Sequence, residues 1–119
     1  MSHEFQPGDD LVFQLESGFG LLRVLAVDED SSGALTWHLL AYDDFFPSVE
    51  AAEAALASAE NLPTRIAHMA LTNRAFERTP ASRLGNRPVT PSEIAAYHDW
   101  QQGDAEVSDR SALLMLGIR

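Results

Sequence analysis

The residues Asp28-Glu29-Asp30-Ser31-Ser32-Gly33 open like a calcium loop. Carboxylates stand at its first and third positions, a hydroxyl at its fifth and glycine at its sixth. That spacing lets successive oxygens curl around one ion. The twelfth position, where a bidentate glutamate closes such a loop, falls on Leu39. The same residues also suit a solvated hairpin turn, which needs Gly33 and small serines anyway. Of the four histidines, His3 sits in the polar amino-terminal stretch. His98 stands beside Asp99, about 100° around a helix from it, so the two form no pair by themselves. His38 and His68 fall on two expected strands. Brought together across a sheet with a carboxylate, they have the ligand types of a metal site, and this is the basis of an alternative reading as a small metal-dependent enzyme or sensor. The plainer reading is that both are partly buried structural histidines.

Tyr42-Asp43-Asp44-Phe45-Phe46 sets two carboxylates side by side between a strand end and a helix start. On an extended chain they point to opposite faces, which makes a poor acid–base dyad. The plainer reading pins Phe45 or Phe46 into the core and leaves the two aspartates solvated. With an exposed phenylalanine, Tyr42, Asp43 and Asp44 would instead centre a binding surface, since aromatics ringed by charge are typical interface anchors. Tyr97 and Trp100 lie three apart and share a helix face, by default a packed one and a second binding patch if exposed. No G-x-S-x-G elbow surrounds a serine and no glycine loop precedes a helix, so no catalytic motif supports an enzyme.

The elements that must position these groups read as follows. Leu11 to Leu15 alternates with period two. Phe19 to Val27 is apolar on both faces and interrupted only by Arg23, which places it centrally in a sheet or curled within a small barrel. Leu35 to Tyr42 is a third strand, so the first three form a meander. From Ser48, a plausible cap, an alanine-rich helix runs to about Ala59 and ends at Asn61 and Pro63. Its apolar stripe is narrow and small, so it should lie flat on the sheet. Arg65 to Phe76 reads as a fourth strand and residues 77 to 89 as a loop. Thr90-Pro91-Ser92-Glu93 has the form of a capping box with proline at the first helical position, and a helix follows to Gln102. Ala112 to Ile118 is a last apolar segment, strand or short helix.

The 119 residues make one domain, 1–119, with no apolar run long enough to span a bilayer. There is no cysteine, which removes disulfides and thiol chemistry. The amino-terminal residues lack the pattern of a leader, and a cytoplasmic protein is expected. All eight basic residues are arginines. Up to Glu60 one arginine faces twelve acids, a balance of −11, while beyond it seven face six, a balance of +1, within a total of −10. Such a chain repels phosphate, and Arg74, Arg78, Arg83 and Arg87 are the nearest thing to a basic patch, so no nucleic-acid partner is expected.

The opening FQPGDDLVFQLESGFGLLRVLAVD resembles the start of a small SH3-like barrel. It is similar to the beginnings of bacterial immunity proteins of polymorphic toxin systems and more distantly to the polymerase-binding domain of CarD-type regulators, without the basic DNA-binding half of the latter. LGNRPVTPSEIAAYHDW extends the immunity-like pattern. The resemblance implies a binding role and carries over no catalytic residues. The expectation is therefore an α+β domain, a small SH3-like antiparallel sheet or partly open barrel with two to three helices packed on it. Its function is expected to be non-enzymatic, with no cofactor and no bound metal; besides the metal-dependent alternative, an accessory interaction domain with an apolar interface around Trp100 is the other reading. Asp28, Glu29, Asp30, Tyr42, Asp43 and Asp44 would gather into one acidic patch that meets a basic protein partner, such as a toxin. A homodimer stays open.

Overall fold

A strand that is greasy on both sides has to be covered on both sides, and this governs the architecture. In a computed structural model describing residues 5–103 and 106–116, β2 (Gly18–Glu29) occupies the middle of a five-stranded sheet. Its neighbours are β1 (Asp9–Leu15) and β3 (Leu35–Tyr42), with β4 (Thr64–Thr72) beyond β3 and β5 (Ala81–Asn86) beyond β1. Every pairing is antiparallel. The outer strands β4 and β5 lie at opposite edges, so the sheet stays open and does not close into a barrel.

Each face carries its own core. On one, Leu11, Phe13, Leu22, Val24, Trp37, Leu39 and Leu71 pack against Phe76 of α2 (Asn73–Glu77) and Leu116, which caps α4 (Ala112–Met115). On the other, Val12, Leu21, Leu25, Leu40 and Tyr42 pack against Ala52 of α1 (Val49–Ala55). The small stripe of α1 lies flat on the sheet, as its alanines require. Helix α3 (Pro91–Gln102) crosses β2 and β4, buries Tyr97, and has the full capping box read from Thr90 and Glu93.

Four boundaries differ from the sequence reading. The alanine-rich helix ends at Ala55 and tightens into a 3-10 helix, Leu56–Asn61, bent at Ser58. The fourth strand stops at Thr72 because that residue turns into a cap, its hydroxyl accepting from the Ala75 N–H at 3.1 Å, and α2 begins. Within residues 77 to 89, Ala81–Asn86 is an edge strand and not a loop, paired to β1 from Phe13↔Ala81 to Asp9↔Asn86. The last apolar segment is a short helix over Ala112–Met115; His3 and Ile118 lie outside the described residues. Gly20 permits one close approach, since a Cβ there would overlap the Phe13 ring. Among the described residues no helix is long and apolar enough to cross a membrane.

Candidate functional site

His38 and His68 sit on adjacent strands, on the face that α3 covers, and they meet. The Nδ1 of His38 lies 3.0 Å from the Nε2 of His68, and the other nitrogen of His38 lies 2.9 Å from Asp28 Oδ2. The second Asp28 oxygen accepts from the Tyr97 hydroxyl at 2.8 Å, and Gln101 donates to that hydroxyl at 3.0 Å. Trp100 closes the group, its ring centroid 4.6 Å from that of His38 and 5.6 Å from that of His68.

Chemistry fixes the proton positions along this chain. An ionised carboxylate only accepts, so His38 presents Nε2–H to Asp28 and keeps a lone pair on Nδ1. His68 must then donate its Nε2–H to that lone pair, leaving its own Nδ1 as an acceptor on the far side of the ring. Burial keeps both rings neutral. It lowers His38 against the pull of Asp28, and it lowers His68, with help from the nearby His38, to about 4. Burial and the bond to Asp28 push the Tyr97 hydroxyl up to about 12, so it keeps the proton it donates.

The two histidines therefore touch through a hydrogen bond. Among the described residues no three His, Cys, Asp or Glu side chains converge as a metal would require. The calcium-loop reading fails for a related reason. Asp28 turns toward His38 and Tyr97, while Asp30 Oδ1 accepts from the Ser32 N–H, the Ser32 hydroxyl and the Ala34 N–H. The Ser32 hydroxyl and these backbone donors hold the Asp30 carboxyl below its usual range. Asp30 stitches its own turn, and Gly33 takes the left-handed φ of +89° that the turn needs.

A second polar cluster lies deeper. Arg23, with no exposed surface, donates to Glu93 Oε2 at 2.9 Å and Oε1 at 3.1 Å, to Asp10 at 3.3 Å, and to the carbonyls of Gly8, Arg87 and Pro88. Arg87 in turn grips Asp10 at 2.7 and 2.8 Å and donates to the Tyr42 hydroxyl at 3.3 Å. Desolvation works against the Glu93 charge, but the Thr90 N–H and Arg23 outweigh it and hold the carboxyl below its ordinary range. The glutamate of the capping box thus also clamps α3 to the sheet. The sign of this cluster in the sequence is the lone arginine inside an otherwise apolar central strand, which needs buried acceptors.

The six expected contact residues are not brought together. Tyr42 is only 4% exposed and belongs to the Arg87 network, so it offers no surface to a partner. Asp28 is committed to His38 and Tyr97. Antiparallel register separates the rest: Ala41 pairs with Leu22 and Thr36 with Asp28, so Asp43 and Asp44 stand near the opposite end of the β2–β3 pair from Glu29 and Asp30. At ~3.3 Å per residue that is roughly 25 Å, about three times the ~8 Å screening length of physiological salt. The expectation of one patch is corrected to two separate acidic ends.

At the Asp43 end the acids do gather. The Asp43 N–H donates to the Pro63 carbonyl at 2.8 Å, returning the 3-10 helix and its Glu60 to this corner. Phe46 pairs with Phe19, which brings the β1–β2 turn with Glu16 to the same end of the sheet. Glu16, Asp44, Glu50, Glu53 and Glu60 are exposed, or nearly so, and among the described residues the one cation paired here is Arg65, 3.7 Å from Asp43. Phe45 stands 42% exposed beside them. The later arginines are occupied elsewhere, Arg74 and Arg78 on Asp109, Arg83 on Asp9 and Arg87 on Asp10. No protein-family model, curated protein or solved structure matches the chain.

Proposed function

We propose that the chain is a non-enzymatic binding protein of the cytoplasm, immunity-like in its opening residues, that engages a basic protein partner through the acidic end built by Asp43, Asp44, Glu50, Glu53 and Glu60. The observation that carries this reading is Phe45, an exposed aromatic set among carboxylates of which, among the described residues, only Asp43 is paired to a guanidinium, that of Arg65. A concentrated field of one sign speeds encounter with a cationic surface and makes association salt-sensitive, while a central aromatic supplies contact area once water is displaced. A toxin with a cationic active site is the partner class that the resemblance implies.

The test uses the product of the adjoining gene, purified and titrated against this protein. Charge reversal at Asp43, Asp44 and Glu50 should slow association at least ten-fold at low salt, and Phe45→Ala should speed dissociation. Reversal of Glu29 and Asp30 at the far end should change little. Equal effects from the two ends would refute the reading. The alternative, a metal-dependent enzyme or sensor on His38 and His68, has their contact in its favour and lacks a third ligand among the described residues. Metal analysis of the purified protein, with and without the two histidines, separates the alternatives.

A further inference from the structure

The histidine chain ends at a cleft. A cavity of about 430 Å³ opens where β4 meets the segment 106–108, lined by His68, Trp100, Glu106, Val107, Ser108 and Met115. Ser108 bridges to Leu71 in parallel, its N–H donating to the Ala70 carbonyl at 2.8 Å, which holds this wall against the sheet edge. The Trp100 indole N–H donates to the Glu106 carbonyl at 2.7 Å, which joins the wall to α3.

Three features of the lining select one ligand chemistry. The proton order set by Asp28 leaves an acceptor, Nδ1, on the His68 ring, and no described residue occupies it. The indole of Trp100 offers a π surface to a positive charge. Glu106 supplies the only formal charge among the lining residues, and it is negative. From this arrangement we infer that the cleft is a binding site for a small organic cation, a protonated primary amine on a flat apolar body. Its N–H donates to His68 Nδ1, its charge lies near the Trp100 ring and the Glu106 carboxylate, and its body rests against Val107 and Met115. The inference is independent of the acidic surface proposed above.

The inward hydrogen bonds give the site its preorganisation. His68 cannot turn its acceptor away without breaking the bond to His38, and His38 is pinned by Asp28, which Tyr97 holds from α3. The groups that set the charge state of His68 are thus Asp28 on β2, His38 on β3, Tyr97 on α3 and Glu106 on the wall. When His68 takes a proton on Nδ1 the acceptor is lost and a like charge faces the ligand, so amine binding should weaken as the pH falls toward about 4.

The test is a titration with benzylammonium, followed by two-dimensional nuclear magnetic resonance of the two tryptophan indole N–H groups. Saturable movement of the Trp100 signal, with Trp37 unmoved, is expected. Benzyl alcohol, which keeps the ring and loses the charge, should bind at least ten-fold more weakly, and benzyltrimethylammonium, which lacks an N–H, several-fold more weakly. Glu106→Gln, a change at an exposed position, should weaken benzylammonium about three- to five-fold, as expected for one partly screened charge. His68→Gln should weaken it further and abolish the pH dependence. The inference is overturned if no saturable shift appears at millimolar amine, if benzyl alcohol binds equally well, or if binding strengthens on acidification.

Discussion

Replacing Arg23 by methionine keeps the length and much of the bulk of the side chain and removes the guanidinium. Asp10 still has Arg87 and the Gly8 carbonyl still has the Arg87 N–H, so the loss falls chiefly on Glu93 and on the carbonyls of Arg87 and Pro88. Removing one member of a buried, hydrogen-bonded ion pair costs about 3–5 kcal/mol, chiefly because the other is left unpaired. Glu93 keeps some access to water, its side chain 17% exposed, so the lower part of that range applies, about 3 kcal/mol. A domain of this size carries ~5–15 kcal/mol in all, and each kcal/mol moves Tm by about 4 °C, so melting should fall by about 12 °C. Calorimetry and urea unfolding measure it, with Glu93→Gln and the double variant completing a cycle. A coupling of about 1–3 kcal/mol is expected. In Arg23→Met the Glu93 carboxyl should also titrate higher than in the parent, which carbon-detected magnetic resonance reads directly. A loss below 1 kcal/mol, or strict additivity with Glu93→Gln, would show that Arg23 fills space and does not clamp.

Stability should depend on pH through the buried His38 and the half-buried His68. Their folded values lie below the ordinary 6.5, so between there and about 4 the unfolded chain binds more protons, and stability declines as the pH falls through that window. For His68 the gap from 6.5 to about 4, much diluted by water in the cleft, corresponds to about 1–2 kcal/mol. Urea midpoints at pH 7 and 5 should diverge less in His68→Gln, and an equal divergence would show that His68 is not the group responsible. Gly20→Ala should cost about 1–3 kcal/mol, since its methyl would overlap the buried Phe13 ring, and a neutral result in thermal melts would mean the ring swings aside. Thr79→Val should leave stability unchanged or raise it by up to about 1 kcal/mol, because the Thr79 hydroxyl is buried with no partner among the described residues. A loss would reveal a bond the hydroxyl makes.

Local signals were read well wherever the cause was local. The two-sided apolar run of β2 needs cover on both faces, which a central strand or a small barrel supplies, and it sits in the middle of an open sheet. The Thr90–Glu93 box specifies a helix start through contacts three residues apart. Ala81–Asn86 offered nothing comparable: it has no apolar alternation, carries Arg83 and Gly85, and becomes a strand because the free side of β1 lies open to it. Charge counting failed in an instructive way. Acids close along the chain fall at the two ends of one hairpin, because antiparallel pairing sends a turn and the strand beyond it in opposite directions. Asp28 looked like surface charge, and its partners, His38 and Tyr97, come from two other elements. His38 and His68 were legible as a pair only in the sense that neighbouring strands can bring them level; the hydrogen bond between them depends on the register of β3 and β4.

Arg23 also bears on the order in which the chain can fold. Its downstream acceptors lie up to 70 positions away, on the far side of six other elements. Until residues 87–93 have left the ribosome, the three-stranded meander would have to bury this cation at its centre with only Asp10 and the Gly8 carbonyl as partners, which disfavours an early stable intermediate. The sheet and α3 should therefore consolidate in one late, cooperative step, and nascent chains stalled before Arg87 should remain sensitive to protease.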